Sequence, residues 1–85
     1  MECNIIHLPK KRTFKTEVDG YEASVVYRIT DDCFDIVHTY VPVPIEGKGI
    51  AAALVKAAYD YAIENDLQPR ATCPYAVMWL KRHGY

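Results

Sequence analysis

Two side chains and one glycine loop in this chain have the chemistry to do work. Cys73 stands directly before Pro74, where the pattern predicts the start of a helix. Pro suits the first helical position, which leaves Cys73 at the cap. A thiol beside unpaired helical N–H groups can have its pKa drawn from ~8.5 toward the ~3.5–7.5 of reactive cysteines. A small buried apolar cysteine fits the same position. His38 lies in an apolar strand with Tyr40 two residues on. Imidazole titrates near neutral pH and would serve as a base if it lined a pocket. A hydrogen-bonded structural histidine is the other reading.

The loop is Gly47-Lys48-Gly49, set between an extended segment ending near Val41 and an alanine-rich helix. A helix start presents backbone N–H groups with no intrahelical acceptor, and its dipole adds partial positive charge. Glycines there let a ligand approach the backbone, so the arrangement suits a phosphate or pyrophosphate. A turn glycine followed by a helix-start glycine would look the same. The loop is not G-x-x-x-x-G-K-S/T, and the third glycine of a dinucleotide fingerprint is replaced by Ala52. Lys48 has two readings, a charge for the phosphate or a solvated side chain.

These groups need elements to position them. Thr13 to Val18 alternates in polarity and reads as a strand, and Asp19-Gly20 is a two-residue hairpin turn. Tyr21 to Ile29 alternates again, and Thr30-Asp31-Asp32 turns the chain. Cys33 to Val41 forms a third strand, with Phe34, Ile36, His38 and Tyr40 on one face and Val37, Thr39 and Val41 on the other. Apolar on both faces, it is expected to be central and covered on both sides. A helix over 49–64 carries Ile50, Leu54, Ala57, Ala58 and Tyr61 at helical spacing, with Lys56 and Asp60 paired on its wet side. Leu67 to Thr72 is a short strand in which Pro69 marks an edge or the strand's start. Strand, helix and strand should make a right-handed parallel crossover. A second helix follows from Tyr75 to His83, with Trp79, Tyr75 and Val77 packing inward. Ile5-Ile6 adds a short N-terminal strand. The expected class is α+β: an antiparallel three-stranded meander, a helix, a parallel crossover strand and a C-terminal helix, forming one domain over 1–85.

Composition bounds the function. The chain has 85 residues, 51% of them hydrophobic, and a net charge of −1. That charge argues against a general nucleic-acid binder. No apolar run approaches the ~18 residues of a membrane span. The basic residues of the first twelve follow the apolar ones, the wrong order for a secretory signal. Cys3, Cys33 and Cys73 are odd in number, with no C-x-x-C pair, which suits reduced thiols in a cytoplasm and gives no metal site.

Several segments together carry a resemblance. His38-Thr-Tyr-Val-Pro42, Glu46-Gly-Lys-Gly-Ile-Ala51, Thr72-Cys-Pro-Tyr75 and Trp79-Leu-Lys-Arg-His83 resemble the small GNAT-type N-acetyltransferase-like proteins, minimal relatives of a superfamily that binds acetyl-CoA. The likeness runs from about Phe14 to Tyr85. It implies that N–H groups of Gly47, Lys48, Gly49, Ile50 and Ala51 hold the CoA pyrophosphate. It implies that Thr39, Tyr40 and Val41 run beside the pantetheine arm, and that the sheet splays between this strand and the one over 67–72. Pro74 and Tyr75 would border the cofactor. Cys73 and His38 match the cysteine and histidine of the small subgroup, and would be the catalytic pair.

Two departures qualify the implied chemistry. The Gln/Arg position of the wider loop motif falls on Pro44, and Asp19-Gly20 closes a tight hairpin where larger relatives carry an acceptor-shaping helical segment. The resemblance implies acetyl transfer from acetyl-CoA to an unidentified amine. The cysteine pattern gives the expectation of a cytoplasmic protein with no metal, and the abundant tyrosines fit a monomer or weak homodimer. The alternative is a CoA-binding module without efficient catalysis. A structural interaction domain is the third.

Overall fold

A computed structural model describes residues 4–84. Cys3 lies outside the described residues, as does Tyr85 at the end of the resemblance. The strands are β1 Ile6–Leu8, β2 Thr13–Val18, β3 Tyr21–Thr30, β4 Cys33–Tyr40 and β5 Gln68–Ala71, and the helices are α1 Ile50–Glu64 and α2 Pro74–His83. The sheet runs β1-β2-β3-β4-β5 in sequence order. Only β4 and β5 are parallel, and α1 connects them.

Turn chemistry sets the meander. Asp19 and Gly20 both take positive φ, 52° and 81°, as do Asp31 and Asp32 at 48° and 63°. Such paired left-handed residues match the twist of the strands they join. The short N-terminal strand spans Ile6–Leu8 rather than Ile5-Ile6. It is anchored by His7, which stacks on Phe14 at 4.1 Å and whose Nε2 meets the Tyr27 hydroxyl at 2.6 Å.

Phe14, Ala23, Val25, Tyr27, Phe34 and Ile36 form the buried face of the sheet. Across them lie Ile50, Leu54, Val55, Ala58, Tyr59 and Ala62 of α1. The helix spacing expected from the sequence missed Tyr59, which is fully buried, and Ala57 and Tyr61 are only partly so. Tyr59 stacks on Trp79 at 5.7 Å and so draws α2 into the same core. The opposite sheet face carries Lys15, Glu22, Arg28, Asp35 and Arg70, and among the described residues no helix covers it. β4 is therefore interior to the sheet but covered on one face, not two.

A second correction concerns the register of β4. Val26 pairs with His38 and Tyr27 pairs with Ile36, which leaves Val37 as an unpaired bulge. One extra residue inverts the alternation beyond it. Phe34 and Ile36 face the helices, but so do Thr39 and Val41. His38 and Tyr40, expected beside Phe34 and Ile36, point to the open face and are exposed.

β5 is the sheet edge, as Pro69 predicts. The Gln68 N–H donates to the Asp32 carbonyl at 2.7 Å. Strand alternation then turns the next residue, Pro69, toward the free edge, where its missing N–H costs no ladder bond.

Candidate functional site

β4 and β5 separate at one point. Their last paired residues are Ile36 and Ala71. The Ile36 carbonyl then accepts from both the Thr72 and Cys73 N–H groups, each at 3.0 Å. Beyond it β4 continues through Thr39 while the other chain turns into α2. The result is a wedge with β4 on one wall and the start of α2 on the other.

Cys73 sits at the floor of the wedge as the N-cap of α2, 8% exposed. Its Sγ lies 3.5 Å from the Thr39 hydroxyl, a contact that exists because the bulge turned Thr39 inward. Burial works against a thiolate here. The Thr39 hydroxyl, the Ala76 and Tyr75 N–H groups and the Thr39 N–H outweigh it, so the thiol titrates below its ordinary value. Hydrogen bonds of this kind to a thiolate are one way in which a cysteine becomes more acidic.

The mouth of the wedge is the glycine loop. After Tyr40 the chain makes a 3-10 turn, Val43–Ile45, whose Ile45 is buried in the core and pins the loop. Gly47 and Gly49 adopt φ of 80° and 76°, which favours glycine, and a Cβ on either would meet no protein atom within 4 Å. The space above the backbone is thus open to a ligand. The first bond of α1 runs from Ala53 N–H to the Gly49 carbonyl. Ile50, Ala51 and Ala52 precede it, so their N–H groups have no intrahelical acceptor. A 320 Å³ cavity is lined here by Val41, Gly47, Gly49, Ile50, Ala51 and Tyr75, with Glu46 and Ala52 at its border. A neighbouring 280 Å³ hollow shares Ala52 and Tyr75 and extends along α2 past Met78 and Trp79 to Arg82 and His83.

Of the residues singled out from sequence, the structure gathers Val41, Gly47, Gly49, Ile50, Ala51 and Tyr75 about one cavity. Tyr75 is 41% exposed and lines the groove rather than packing inward. Thr39, Cys73 and Pro74 lie deeper in the wedge. Lys48 is elsewhere: its Nζ is 2.8 Å from Asp19 Oδ2 at the β2–β3 turn. Tyr40 and His38 are on the other face of the sheet, so His38 and Cys73 are not brought together. Sequence reasoning missed the Thr39–Cys73 contact, which only a bulge makes, and the reach of Arg82 into the groove. Among the described residues no cluster of His, Cys, Asp or Glu is arranged to hold a metal, and no helix is long and apolar enough to cross a membrane.

A meander joined through a helix to a parallel strand, with the sheet parting where a glycine loop meets a helix start, defines an N-acetyltransferase-like domain. The comparisons agree. Residues 13–85 match the family described as GCN5-related N-acetyl-transferase, and the chain belongs to it. Protein NATD1 of Xenopus tropicalis is 35% identical over 80 residues, covering 91% of this chain and 73% of that protein. NATD1 of Homo sapiens is 34% identical over 80 residues, covering 91% and 71%. A Staphylococcus aureus protein solved by NMR and described as GCN5-like superimposes with a TM-score of 0.74 at 29% identity, covering 93% of this chain and 78% of that one.

Proposed function

We propose that the protein binds acetyl-CoA in the wedge and groove and transfers the acetyl group to an amine. The observation that carries this reading is the parting of β4 and β5 at Ile36, with an open glycine-loop helix start at its mouth and the Cys73 thiol at its floor.

The residues present fit acetyl-CoA. Unpaired N–H groups over 49–52 would hold the pyrophosphate without a side-chain cation, since Lys48 is engaged by Asp19. Arg82, exposed on the adjoining hollow, supplies positive charge to the nucleotide end, and the indole of Trp79 and the ring of Tyr75 supply apolar surface. The free side of β4 beyond Ile36 would pair with the amide-bearing pantetheine arm as an added strand would.

Acetyl-CoA supplies the activated thioester, and the chain supplies placement and charge. The Thr39 N–H, which faces Cys73 across the wedge with no β5 partner, would turn to a carbonyl oxygen as negative charge develops on it. The amine must lose a proton, and His38, exposed on the open face, would take it. Cys73 offers a second route. Its thiolate would accept the acetyl group as a thioester before the amine arrives.

Amide-resolved NMR with acetyl-CoA tests the reading. Expected are shifts confined to Thr39–Val41, Gly47–Ala52 and Cys73–Tyr75. No shifts at millimolar ligand would remove both the transferase and the CoA-binding readings.

A further inference from the structure

The open face of the sheet holds a 580 Å³ cleft lined by Arg28, Asp31, Cys33, Asp35, Arg70 and Thr72, among others. It is separate from the glycine-loop cavity and on the other side of β4. Its centre is a row of three side chains. Arg28 pairs in register with Asp35 across β3–β4, and Asp35 with Arg70 across β4–β5. Registered partners point to the same face, and neighbouring strands lie ~4.8 Å apart.

The charges in this row do not balance. Arg28 Nη2 donates to Asp35 Oδ2 at 3.2 Å. The Thr72 hydroxyl donates to both oxygens of the same carboxylate, at 2.9 and 3.1 Å. Asp35 is thus committed. Arg70 donates only to a neutral oxygen, Gln68 Oε1 at 3.2 Å, and has no ion pair among the described residues. Its guanidinium keeps further donors, in the fork geometry that matches a carboxylate or phosphate. Asp31, at the β3–β4 turn, brings the lining of the cleft to two arginines and two aspartates, so the attraction for an anion is local to the Arg70 guanidinium, toward the wedge end.

The position of the cleft gives that anion a role. Ala71 is the last residue paired before the wedge, and Thr72 and Cys73 follow. Arg70 therefore lies about two residues, ~7 Å along the strand, from the point where the wedge opens. A molecule holding an anionic group on Arg70 would present an atom several bonds away at the wedge, beside His38.

We propose that the cleft is the acceptor site and takes an amine that carries an acid group, its anion held by Arg70 and its amino group directed past Thr72 into the wedge. This rests on the acetyl-transfer reading. The step is acetyl transfer to the amine nitrogen: the ammonium gives one proton to His38, the N–C bond forms as the thioester C–S bond breaks, and the nitrogen's second proton passes to the departing thiolate, so that CoA leaves as its thiol.

The test uses the full chain with acetyl-CoA and a matched pair of primary amines, γ-aminobutyrate and propylamine, with spermidine as a polycation. Acetylated product and released thiol are measured, and amide and arginine side-chain NMR shifts are followed without acetyl-CoA. Expected are shifts at Arg70, Ala71 and Thr72 on adding γ-aminobutyrate, and preferential turnover of γ-aminobutyrate. In Arg70→Gln that preference should fall at least about tenfold, through KM rather than kcat, with partial recovery in Arg70→Lys. Equal turnover of γ-aminobutyrate and propylamine, faster turnover of spermidine, or absence of the Arg70 shifts overturns the proposal. So does displacement of γ-aminobutyrate from these residues by CoA, which would make the cleft part of the nucleotide site. Acetyl-CoA shifts at Gly47–Ala51 in the same sample separate the two failures. If they are present and the acid-bearing amine is not acetylated, the acceptor assignment falls while the cofactor reading stands.

Discussion

Cys73 and Thr39 meet at 3.5 Å between thiol and hydroxyl, although they are thirty-four residues apart and belong to elements that no longer pair. The contact depends on Val37. Without that bulged residue, Thr39 would face the open side of the sheet and His38 would face Cys73.

Removing the hydroxyl should therefore raise the thiol pKa while leaving the fold intact. In Thr39→Val, made in a background with Cys3 and Cys33 replaced by serine, ultraviolet thiolate absorbance should appear at higher pH than in the Thr39 parent. The linkage has a definite sign. A folded-state pKa below the unfolded one adds stability above the unfolded value, and that increment is lost as pH falls through the folded pKa. Stability should thus rise with pH across this window, and Thr39→Val should flatten the rise. An unchanged absorbance titration would show that the backbone N–H groups of α2 and of residue 39 set the thiol without the hydroxyl.

Gly49→Ala separates backbone strain from ligand contact. The φ of 76° costs an alanine about 1–2 kcal/mol, and no protein atom lies within 4 Å of the added Cβ. Chemical denaturation should show a loss of that size with the fold preserved. Acetyl-CoA affinity should fall further than this strain explains, because the methyl projects where a phosphate would rest. Unchanged affinity would place the pyrophosphate elsewhere.

Lys48 gives the opposite expectation. Its ammonium pairs with Asp19, and both side chains are substantially exposed. Pairs of this kind contribute ~0–1 kcal/mol. Lys48→Ala should leave stability within that range and change acetyl-CoA affinity less than about threefold. A larger loss of affinity, steepening at low salt, would show that the side chain leaves Asp19 for the phosphate.

These residues also show what could be read in the sequence and what could not. Asp19-Gly20, Asp31-Asp32 and Cys73-Pro74 encode their local geometry in residue types, so the hairpins and the cap of α2 were legible. So was the α+β class, because Pro69 and the alanine-rich helix fix which strand is an edge and which connection crosses over. The bulge at Val37 has no such mark. No glycine or proline stands there, and an unbroken alternation put His38 on the wrong face. The Lys48–Asp19 pair links residues far apart in sequence, and the Arg28–Asp35–Arg70 row needs the register of three strands. Local spacing carries neither.

The placement of His38 and Cys73 on opposite faces of β4 leads to a kinetic prediction. If the amine attacks directly, Cys73→Ala should retain turnover, and His38→Ala should lose most of it while still binding acetyl-CoA. If the acetyl group passes through Cys73, acetyl-CoA alone should acetylate the protein by one acetyl mass, and Cys73→Ala should abolish both that mass and turnover. The wedge admits either, since the proposed Thr39 N–H contact to the carbonyl oxygen would be available in both. Under the proposed acceptor assignment, His38 is exposed on the side where the amine would arrive, and would provide a base without the thiol. Direct transfer is therefore the expected outcome, with Cys73→Ala retaining at least about a tenth of the turnover, a barrier change of no more than ~1.4 kcal/mol. Loss of all turnover in Cys73→Ala, with acetyl-CoA still bound, would instead assign the covalent route.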